Sequence, residues 1–355
     1  TFKNKSVNLK EVSEELRARY IVEGSVRKGG NRIRITAQLI DAHADHHLWS
    51  KKWDRNIDDI FEVQDEVSTS IAAQVNPMLG SYETERIERS KPNNFNAWEY
   101  YLKSLQMFNE RSSKDGKDDN LAKSRELCEK AIELDPGLSH GHSMLARICY
   151  QELLQFINED SEKTLNDMFE HSKKASELDP QNPVAALMIS TYYFFKGKFS
   201  QSRKYAEKAV ELNPSYPEAY NRLAQAITHS GDYENSEELL RKSVEINPLD
   251  PDVMGRKSNY FFIYMGQKDY QKAYELIEEV LEEDSNQGSY KGFKASVMGY
   301  LNKGDEAKTA LDEYLSLRPN LKTKDDYKKI FVPNSSLADI IVEGLCRAGW
   351  EPNKS

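Results

Sequence analysis

The sequence has few cysteines and no long apolar run, and each shortage excludes a class of protein. Only 3 of its 355 residues are cysteine, which is too few for a fold held together by disulfide bonds. No stretch approaches the roughly 18 consecutive apolar residues of a membrane-spanning helix, so we expect no direct membrane insertion. The chain starts at Thr1 with a polar segment, and we interpret it as a piece of a longer protein whose other part holds any catalytic domain.

Basic side chains are also scarce outside the first 55 residues. That segment has 12 Lys and Arg against 7 Asp and Glu, whereas the rest of the chain has 37 basic and 51 acidic side chains. A nucleic-acid-binding protein typically presents a dominant basic surface, so the acidic bulk argues against nucleic acid as a partner. The uneven charge indicates two modules with a boundary after residue 55.

The first module is predicted to be a small α+β domain with both helices and strands. Residues 7–18 place apolar side chains on one helical face. Residues 32–42 alternate apolar and polar side chains as a half-buried strand does, and Gly29–Asn31 can form a hairpin turn before them. A third strand, HHLWSKKWD, and a helix over residues 57–71 follow. A three-stranded antiparallel sheet leaves an edge open, so we infer that the module is truncated and lacks a strand and a helix upstream.

A recurring helix end dominates the rest of the chain. It reads AIELDP, ASELDP, AVELNP, SVEINP and YLSLRP, ending at Pro136, Pro180, Pro214, Pro248 and Pro319. Two successive intervals are 34 residues long, and a 34-residue period with two helices per unit is the tetratricopeptide (TPR) signature. We therefore predict a mainly α fold in three parts. These are the α+β module over residues 1–80, about six TPR repeats forming a solenoid over residues 93–319, and a capping segment over residues 320–355 that contains one helix, over residues 336–348.

Small residues inside the repeats support this interpretation. Gly197 and Gly231 fall where the first helix of a unit should turn into the second. Ser202, Ala206 and Ala209 occupy positions where small side chains let two helices approach closely.

The first module also resembles a known bacterial domain. Residues 5–75 contain EGSVRK, NRIRITAQLIDA, HLW, WDR and QDE, and they resemble the N-terminal domain of TolB and the FlgO module. In that family the module often precedes TPR repeats. It commonly follows a class III adenylate or guanylate cyclase domain, and elsewhere a protein kinase or a winged-helix DNA-binding domain. The family's turn before HLW is rich in Thr and Gly, whereas here it reads His43-Ala44-Asp45-His46.

Candidate chemical sites are few, and each has a plainer structural interpretation. Residues 43–47 could ligate zinc or nickel, but a polar turn between strands is favoured, so we predict no metal. Residues 24–30 are glycine-rich like a phosphate loop, but they lie between two strands rather than before a helix. Cys128, Cys149 and Cys346 lack metal-ligand spacing, and a disulfide between the first two stays open. No nucleophile stands in a triad motif, so we expect neither catalytic residues nor a cofactor in this chain.

The TPR resemblance implies a peptide-binding groove lined by the first helix of each repeat. Its ligand-contacting positions in the third, fourth and fifth repeats are Leu187, Thr191, Phe194, Phe195, Asn221, Gln225, His229, Asn259 and Phe262. Rings and amides, without the Lys and Arg cluster of carboxylate-clamp repeats, suit an extended or helical peptide. The alternative is that the phenylalanines fill the interior of the solenoid or dock against the first module.

We therefore predict a non-catalytic regulatory and protein-interaction region of a bacterial signal-transduction protein. The resemblance favours the C-terminal part of a class III adenylate or guanylate cyclase in the cytoplasm. The region would bind a partner protein or its own effector domain, and a homodimer stays open. Two alternatives are a periplasmic cell-envelope scaffold or sensor half of a transmembrane regulator, and a small-molecule sensor.

Overall fold

The chain divides into two compact units, residues 1–93 and residues 94–355, in a computed structural model. The structure describes residues 8–16, 18, 20–42, 46–56, 60–75, 94–110, 119–154, 161–247, 253–283, 288–331 and 335–353. Within these ranges, no helix combines the length and the apolar character needed to cross a membrane. The two units are described separately below.

The first unit is a three-stranded antiparallel sheet with a helix before it and a helix after it in the chain. Its elements are α1 (Leu9–Leu16), β1 (Tyr20–Gly29), β2 (Arg32–Asp41), β3 (His46–Asn56) and α2 (Ile60–Val75). The strands pair in the order β1-β2-β3. Gly30, with a φ of 62°, closes the predicted hairpin between β1 and β2, because a left-handed backbone costs glycine little.

The core of the first unit lies between the sheet and α2. The side chain of Trp53, which is only 1% exposed, packs with Ala37 and Val63. Ile33 and Leu39 are buried as well, so the alternation predicted for β2 is confirmed. By contrast, β1 forms an edge of the sheet and is exposed along nearly its whole length.

The second unit is a stack of helix pairs, whose first helix we call A and second helix B. The pairs are α3–α4 (Phe95–Asn109, Asp119–Leu134), α5–α6 (Ser139–Leu154, Ser161–Leu178), α7–α8 (Pro183–Phe195, Phe199–Leu212), α9–α10 (Pro217–Thr228, Tyr233–Ile246), α11 and α12–α13 (Val253–Lys257, Tyr260–Gln267, Tyr270–Glu283) and α14–α15 (Gly288–Tyr300, Gly304–Ser316). The fifth A helix is split into α11 and α12. Two more helices follow, α16 (Lys324–Phe331) and α17 (Ser336–Arg347). The third and fourth pairs begin at Pro183 and Pro217, so the predicted 34-residue period is confirmed.

Small polar residues hold the two helices of a pair close together. Ser190 Oγ donates a hydrogen bond to the backbone oxygen of Ser202 at 2.7 Å, which joins α7 to α8. Ser104 Oγ donates in the same way to the backbone oxygen of Ser124, joining α3 to α4 at 2.7 Å. Ser202 and Ala206 are fully buried, as their small size predicts. The buried hydroxyls are thus satisfied by the neighbouring helix, which removes the penalty of burying them.

The turn between the A and B helices has a left-handed residue in the last four pairs. In the third and fourth pairs the residue is glycine, as predicted, with φ of 65° at Gly197 and 86° at Gly231. In the fifth and sixth pairs it is a residue with a side chain, with φ of 63° at Lys268 and 54° at Asn302. The C-terminal pairs therefore depart from the pattern that makes the middle pairs recognisable.

A partly buried ion pair and two free thiols lie between the first and second pairs. The guanidinium of Arg125 binds Glu152 through two hydrogen bonds of 2.7 Å, and its Nη2 also donates to Cys149 Sγ at 3.2 Å. Cys128 donates to the backbone oxygen of Gly141 at 3.1 Å, and burial raises the pKa of its thiol to about 12. Both cysteines are free, so the structure does not contain the disulfide that the sequence left open.

Candidate functional site

The A helices form the inner face of the stack. Neighbouring A helices contact each other in the first four pairs, whereas contact between neighbouring B helices is slighter. In a curved stack the helices that approach each other most closely lie on the concave side. The A helices carry seven basic and three acidic side chains, and the B helices carry thirteen and twenty-three. The inner helices are therefore the basic part of an acidic unit.

Three of the predicted groove residues lie together on this inner face. The ring centroid of His229 lies 5.1 Å from that of Phe194 and 5.9 Å from that of Phe262, and the imidazole stacks on Phe199 at 5.0 Å. We call these four residues the His229 cluster. Burial, together with the Arg222 cation, lowers the pKa of His229 to about 3, so the imidazole is neutral at physiological pH.

The three predicted amides form a second group on the same face. Gln225 Nε2 donates to Asn259 Oδ1 at 2.6 Å, and Asn259 Nδ2 donates to Asn221 Oδ1 at 3.0 Å. The carbonyl oxygen of the Gln225 side chain is buried without a hydrogen-bond partner among the described residues. The amides therefore join the fourth A helix to the fifth and leave one acceptor unused.

The remaining predicted groove residues are less accessible than expected for ligand contacts. Leu187 and Thr191 are buried, and Thr191 Oγ1 donates to the backbone oxygen of Leu187 at 2.9 Å. Phe194 and Asn259 are buried too, whereas Phe195 is partly exposed. This placement agrees with the alternative in which phenylalanines fill the interior of the solenoid, and a ligand-binding role for these residues stays a prediction.

Two arginines of the inner face escaped the prediction from sequence. Arg222, which is 5% exposed, lies over the Phe194 ring at 4.6 Å and over the Tyr150 ring at 5.7 Å, and its Nη2 donates to the Tyr150 hydroxyl at 3.1 Å. Arg147 lies over the Phe108 ring at 4.6 Å. Contacts of this kind are attractive because the ring faces carry partial negative charge. The available signal was that each of their A helices carries a single arginine and no lysine.

Helix α17 lies on the inner face rather than at the end of the stack. It packs mainly against α14 and also against α12, the A helices of the sixth and fifth pairs, and makes little contact with α15. Its N-cap residue, Ser335, hydrogen-bonds to Nδ1 of His229 in the fourth pair. The helix was predicted over residues 336–348, and its bounds agree with that range. Its position against the A helices was not predicted.

A cleft in the second unit bears on the predicted alternative of a small-molecule sensor. The cleft holds about 430 Å³ beside α13, α14 and α15, and its Lys291 and Lys294 are paired with Glu313 at 3.7 Å and Glu278 at 2.7 Å.

The histidine-rich turn of the first unit is the place of the alternative metal site, and its residues 43–45 lie outside the described part of the chain. Within the described part, no group of three or more His, Cys, Asp or Glu is placed to hold a metal ion.

Comparison with known sequences identifies the repeats and one distant relative. Residues 187–251, in the third and fourth helix pairs, match the family model of the tetratricopeptide repeat. A curated protein named "Putative adenylate cyclase 3", from Rhizobium meliloti (strain 1021), is 33% identical over 185 residues. The alignment covers 51% of this chain and 30% of the relative, so the chain spans less than a third of that protein's length.

Comparison with solved structures finds further TPR folds. The pilF protein of Pseudomonas aeruginosa is 15% identical, with 63% of this chain and 92% of that chain covered and a TM-score of 0.42. The APC/C hetero-tetramer Cut9–Hcn1 is 14% identical, with coverages of 82% and 53% and a TM-score of 0.49. YrrB, a TPR protein with an unusual peptide-binding site, is 17% identical, with coverages of 55% and 94% and a TM-score of 0.35.

The repeat pattern, the stacked helix pairs and the family match lead to one conclusion about the second unit. TPR folds typically bind proteins or peptides and are typically non-catalytic. The resemblance of residues 5–75 to the TolB and FlgO module stays a prediction. Residues 187–251 of the second unit match the tetratricopeptide repeat, and the helix pairs of that unit stack in the two-helix organisation that such a repeat produces.

Proposed function

We propose that this chain is a non-catalytic regulatory region of a bacterial class III nucleotide cyclase, and that the inner face of its repeats binds the regulating protein or the cyclase's own effector domain. The adenylate cyclase name of the relative supports the first part. The substrates of such cyclases, ATP and GTP, are cytoplasmic, so we propose the same compartment for this region.

The observation that supports the binding part of the proposal is the position of α17 on the inner face formed by the A helices. An amphipathic helix lies on the inner face, across the A helices of the fifth and sixth pairs, with its N-cap at the fourth. The face therefore has the width, the apolar surface and the hydrogen-bonding groups that a helical segment needs. The partly exposed ring of Phe195 extends the same face towards the third pair.

A competition experiment in cells tests the proposal. The chain is co-expressed with the Rhizobium meliloti relative in a bacterium that lacks its own adenylate cyclase, and cyclic AMP is measured. If the relative's matching region regulates its cyclase through a protein contact, the free chain competes for that contact. Regulatory coupling of about 1–3 kcal/mol corresponds to roughly fivefold or more, so we expect a change in cyclic AMP of that order.

Variants of the chain distinguish the inner face from the rest of the surface. The double variant Phe195→Ala with Asn221→Ala should lose the effect, because both side chains lie on inner A helices. The matched control Lys204→Ala, on the exposed surface of α8, should keep it. An unchanged cyclic AMP level with the unaltered chain, or equal effects of all three chains, would contradict the proposal.

A further inference from the structure

The two edges of the sheet in the first unit differ in how they are protected. Strand β3, at one edge, carries Lys51, Lys52 and Arg55, and its pairing with β2 is interrupted by a register shift between Leu39 and Ile40. Charged side chains and irregular pairing are devices by which proteins keep an exposed edge from taking up another strand. The β3 edge is therefore protected against further pairing.

Strand β1, at the other edge, lacks irregular pairing of this kind. Its ten residues pair with β2 without a register shift, from Tyr20 opposite Asp41 to Gly29 opposite Arg32. It contains no proline, and nine of its ten residues are exposed. In an antiparallel strand the backbone groups of alternate residues point away from the paired neighbour. Strand β1 therefore presents an unbroken row of peptide groups that a further strand can bind.

An apolar row on β1 also lies outside the core of the first unit. Val22 and Val26 stand opposite Leu39 and Ile35 of β2, so they share the face that packs against α2. Helix α2 packs mainly against β2 and β3, however, and Val22 and Val26 remain 45% and 67% exposed. Cross-strand neighbours on the open side of β1 would remove part of that surface from water.

The charges of β1 indicate the kind of strand that fits its open side. Arg27 stands opposite Arg34 of β2, which is an unfavourable neighbour, and Arg34 is already paired with Asp54 at 2.9 Å. Arg27 has no ion-pair partner among the described residues. On the same face of β1, Glu23 accepts a hydrogen bond from Gln38 at 2.7 Å. An incoming strand should therefore place an acidic residue beside Arg27 and a basic residue beside Glu23.

A second copy of β1 meets both requirements. When two copies run antiparallel with Ser25 of each on the two-fold axis, Glu23 of one copy lies opposite Arg27 of the other, and this pair occurs twice. The same register places Val26 of one copy opposite Gly24 of the other and diagonal to Val22 and Val26. Opposite charges and apolar side chains that face each other across two strands stabilise their pairing.

We infer that β1 pairs with β1 of a second copy of this chain, so that two three-stranded sheets join into one six-stranded antiparallel sheet with Ser25 on the two-fold axis. The contact is limited to a strand edge and its flanking side chains, so we expect a reversible dimer rather than a permanent one. The surface belongs to the first unit, and the inference does not depend on the function proposed for the inner face of the repeats.

Sedimentation equilibrium of the full chain and its charge variants tests this inference. The average mass should rise with concentration from 40.9 kDa towards twice that value. Glu23→Arg alone or Arg27→Glu alone places like charges opposite each other at two positions, so each should raise the dimer Kd about tenfold. The double variant exchanges the charges and should restore the dimer. Arg32→Glu, exposed on β2 near the hairpin, is the matched control and should leave the Kd unchanged.

A cysteine on the axis tests the register. Ser25→Cys, in a chain that also carries Cys346→Ser, brings two thiols together at a Cα separation of about 4.5–5.5 Å, which a disulfide can span. Cys128 and Cys149 are buried and do not compete. Mild oxidation should convert most of this chain into a covalent dimer on a non-reducing gel. The matched control Lys52→Cys, exposed on the β3 edge, should stay largely monomeric.

Two results would overturn the inference. One is a chain that stays monomeric at every concentration, which would leave the edge to another strand, such as the upstream strand expected from the sequence. The other is a dimer whose Kd is the same in both single charge variants, or whose Ser25→Cys and Lys52→Cys chains crosslink equally. Glu23, Ser25 and Arg27 are exposed, so these variants should keep the fold, and circular dichroism checks that they do.

Discussion

The third and fourth helix pairs differ from the fifth and sixth in regularity and in what packs on them. The middle pairs keep the 34-residue interval, and their turns use Gly197 and Gly231. In the C-terminal pairs an A helix is split in two, and Lys268 and Asn302 occupy the left-handed turn positions. The C-terminal pairs also carry α17 on their inner face. The repeat pattern is therefore less regular in the pairs whose A helices pack against α17 as well as within their own stack.

Glycine usage shows the same contrast at the level of single residues. The A helices α7 and α9 contain no glycine, whereas α14 has Gly292 and Gly299 in its interior. A glycine inside a helix costs about 1 kcal/mol relative to alanine. In α14 the space that each glycine leaves is filled by a neighbouring residue. A Cβ at Gly292 would lie 2.8 Å from the Tyr314 ring, and one at Gly299 would meet α17. The local cost is offset by close packing.

The largest effect should come from filling the space between α14 and α17. Gly299→Ala adds a Cβ that would lie 2.1 Å from the backbone oxygen of Gly344, so one of the two helices has to move. Overpacking of this kind costs about 2–3 kcal/mol. We expect the free energy of unfolding, measured by urea denaturation, to fall by that amount.

A second glycine in the same C-terminal region provides the matched control. Gly255 lies in α11, and a Cβ added there has no atom within 4 Å. Gly255→Ala should therefore stabilise the protein by about 0.5–1 kcal/mol through helix propensity alone. Opposite signs for the two variants would confirm that packing by α17 is responsible. Equal stabilisation by the two variants would mean that the crossing is looser than the structure shows.

A fall in pH should lower the free energy of unfolding by an intermediate amount, because of His229. Burial lowers the pKa of His229 to about 3 in the folded chain, whereas an unfolded histidine titrates near 6.5. Between these values the unfolded state binds a proton that the folded state does not. The contribution of His229 is therefore fully present above pH 6.5 and is lost progressively as the pH falls towards 3. At pH 5 the loss amounts to about 2 kcal/mol.

The variant His229→Gln isolates this contribution from other histidines. Burial also lowers the pKa of His142 and of His171, so acid weakens the second pair too. The stability difference between the unaltered chain and His229→Gln, measured by urea denaturation at pH 7 and pH 5, cancels those shared terms. We expect that difference to change by about 2 kcal/mol in favour of the variant at pH 5. A difference independent of pH would show that the imidazole is protonated in the folded chain.

The sequence predicted the repeats well because each helix pair is a local unit. Its small residues, turn glycines and terminal prolines act within about 34 residues, so their spacing carries the architecture. The resemblance to the tetratricopeptide family, carried onto these repeats, placed Phe194, His229 and Phe262 on the inner face, where the structure brings their rings together. A helix over residues 336–348 was predicted as well, and α17 spans Ser336–Arg347.

What the sequence did not predict depends on contacts between distant segments. Apolar spacing shows that α17 has a buried face but not which helices bury it, and its seat depends on Gly299 and Gly344, 45 positions apart. The pairing of Asn221 with Asn259 was missed for the same reason, because family positions identify facing side chains without showing that they bind each other. Arg222 lay outside the transferred positions altogether.

The smallest effect concerns the turns that distinguish the two regions. Lys268 has a φ of 63°, a left-handed conformation that costs a residue with a side chain roughly 1–2 kcal/mol, while glycine adopts it freely. Replacing Lys268 by glycine removes that strain but adds flexibility to the unfolded chain, so we expect a net gain of about 0.5–1 kcal/mol in the free energy of unfolding. The reciprocal variant Gly231→Ala, at a φ of 86° in the regular fourth pair, should lose about 1 kcal/mol although no atom lies within 4 Å of an added Cβ. If Lys268→Gly were destabilising instead, contacts of the lysine side chain rather than turn geometry would explain why the fifth pair departs from glycine.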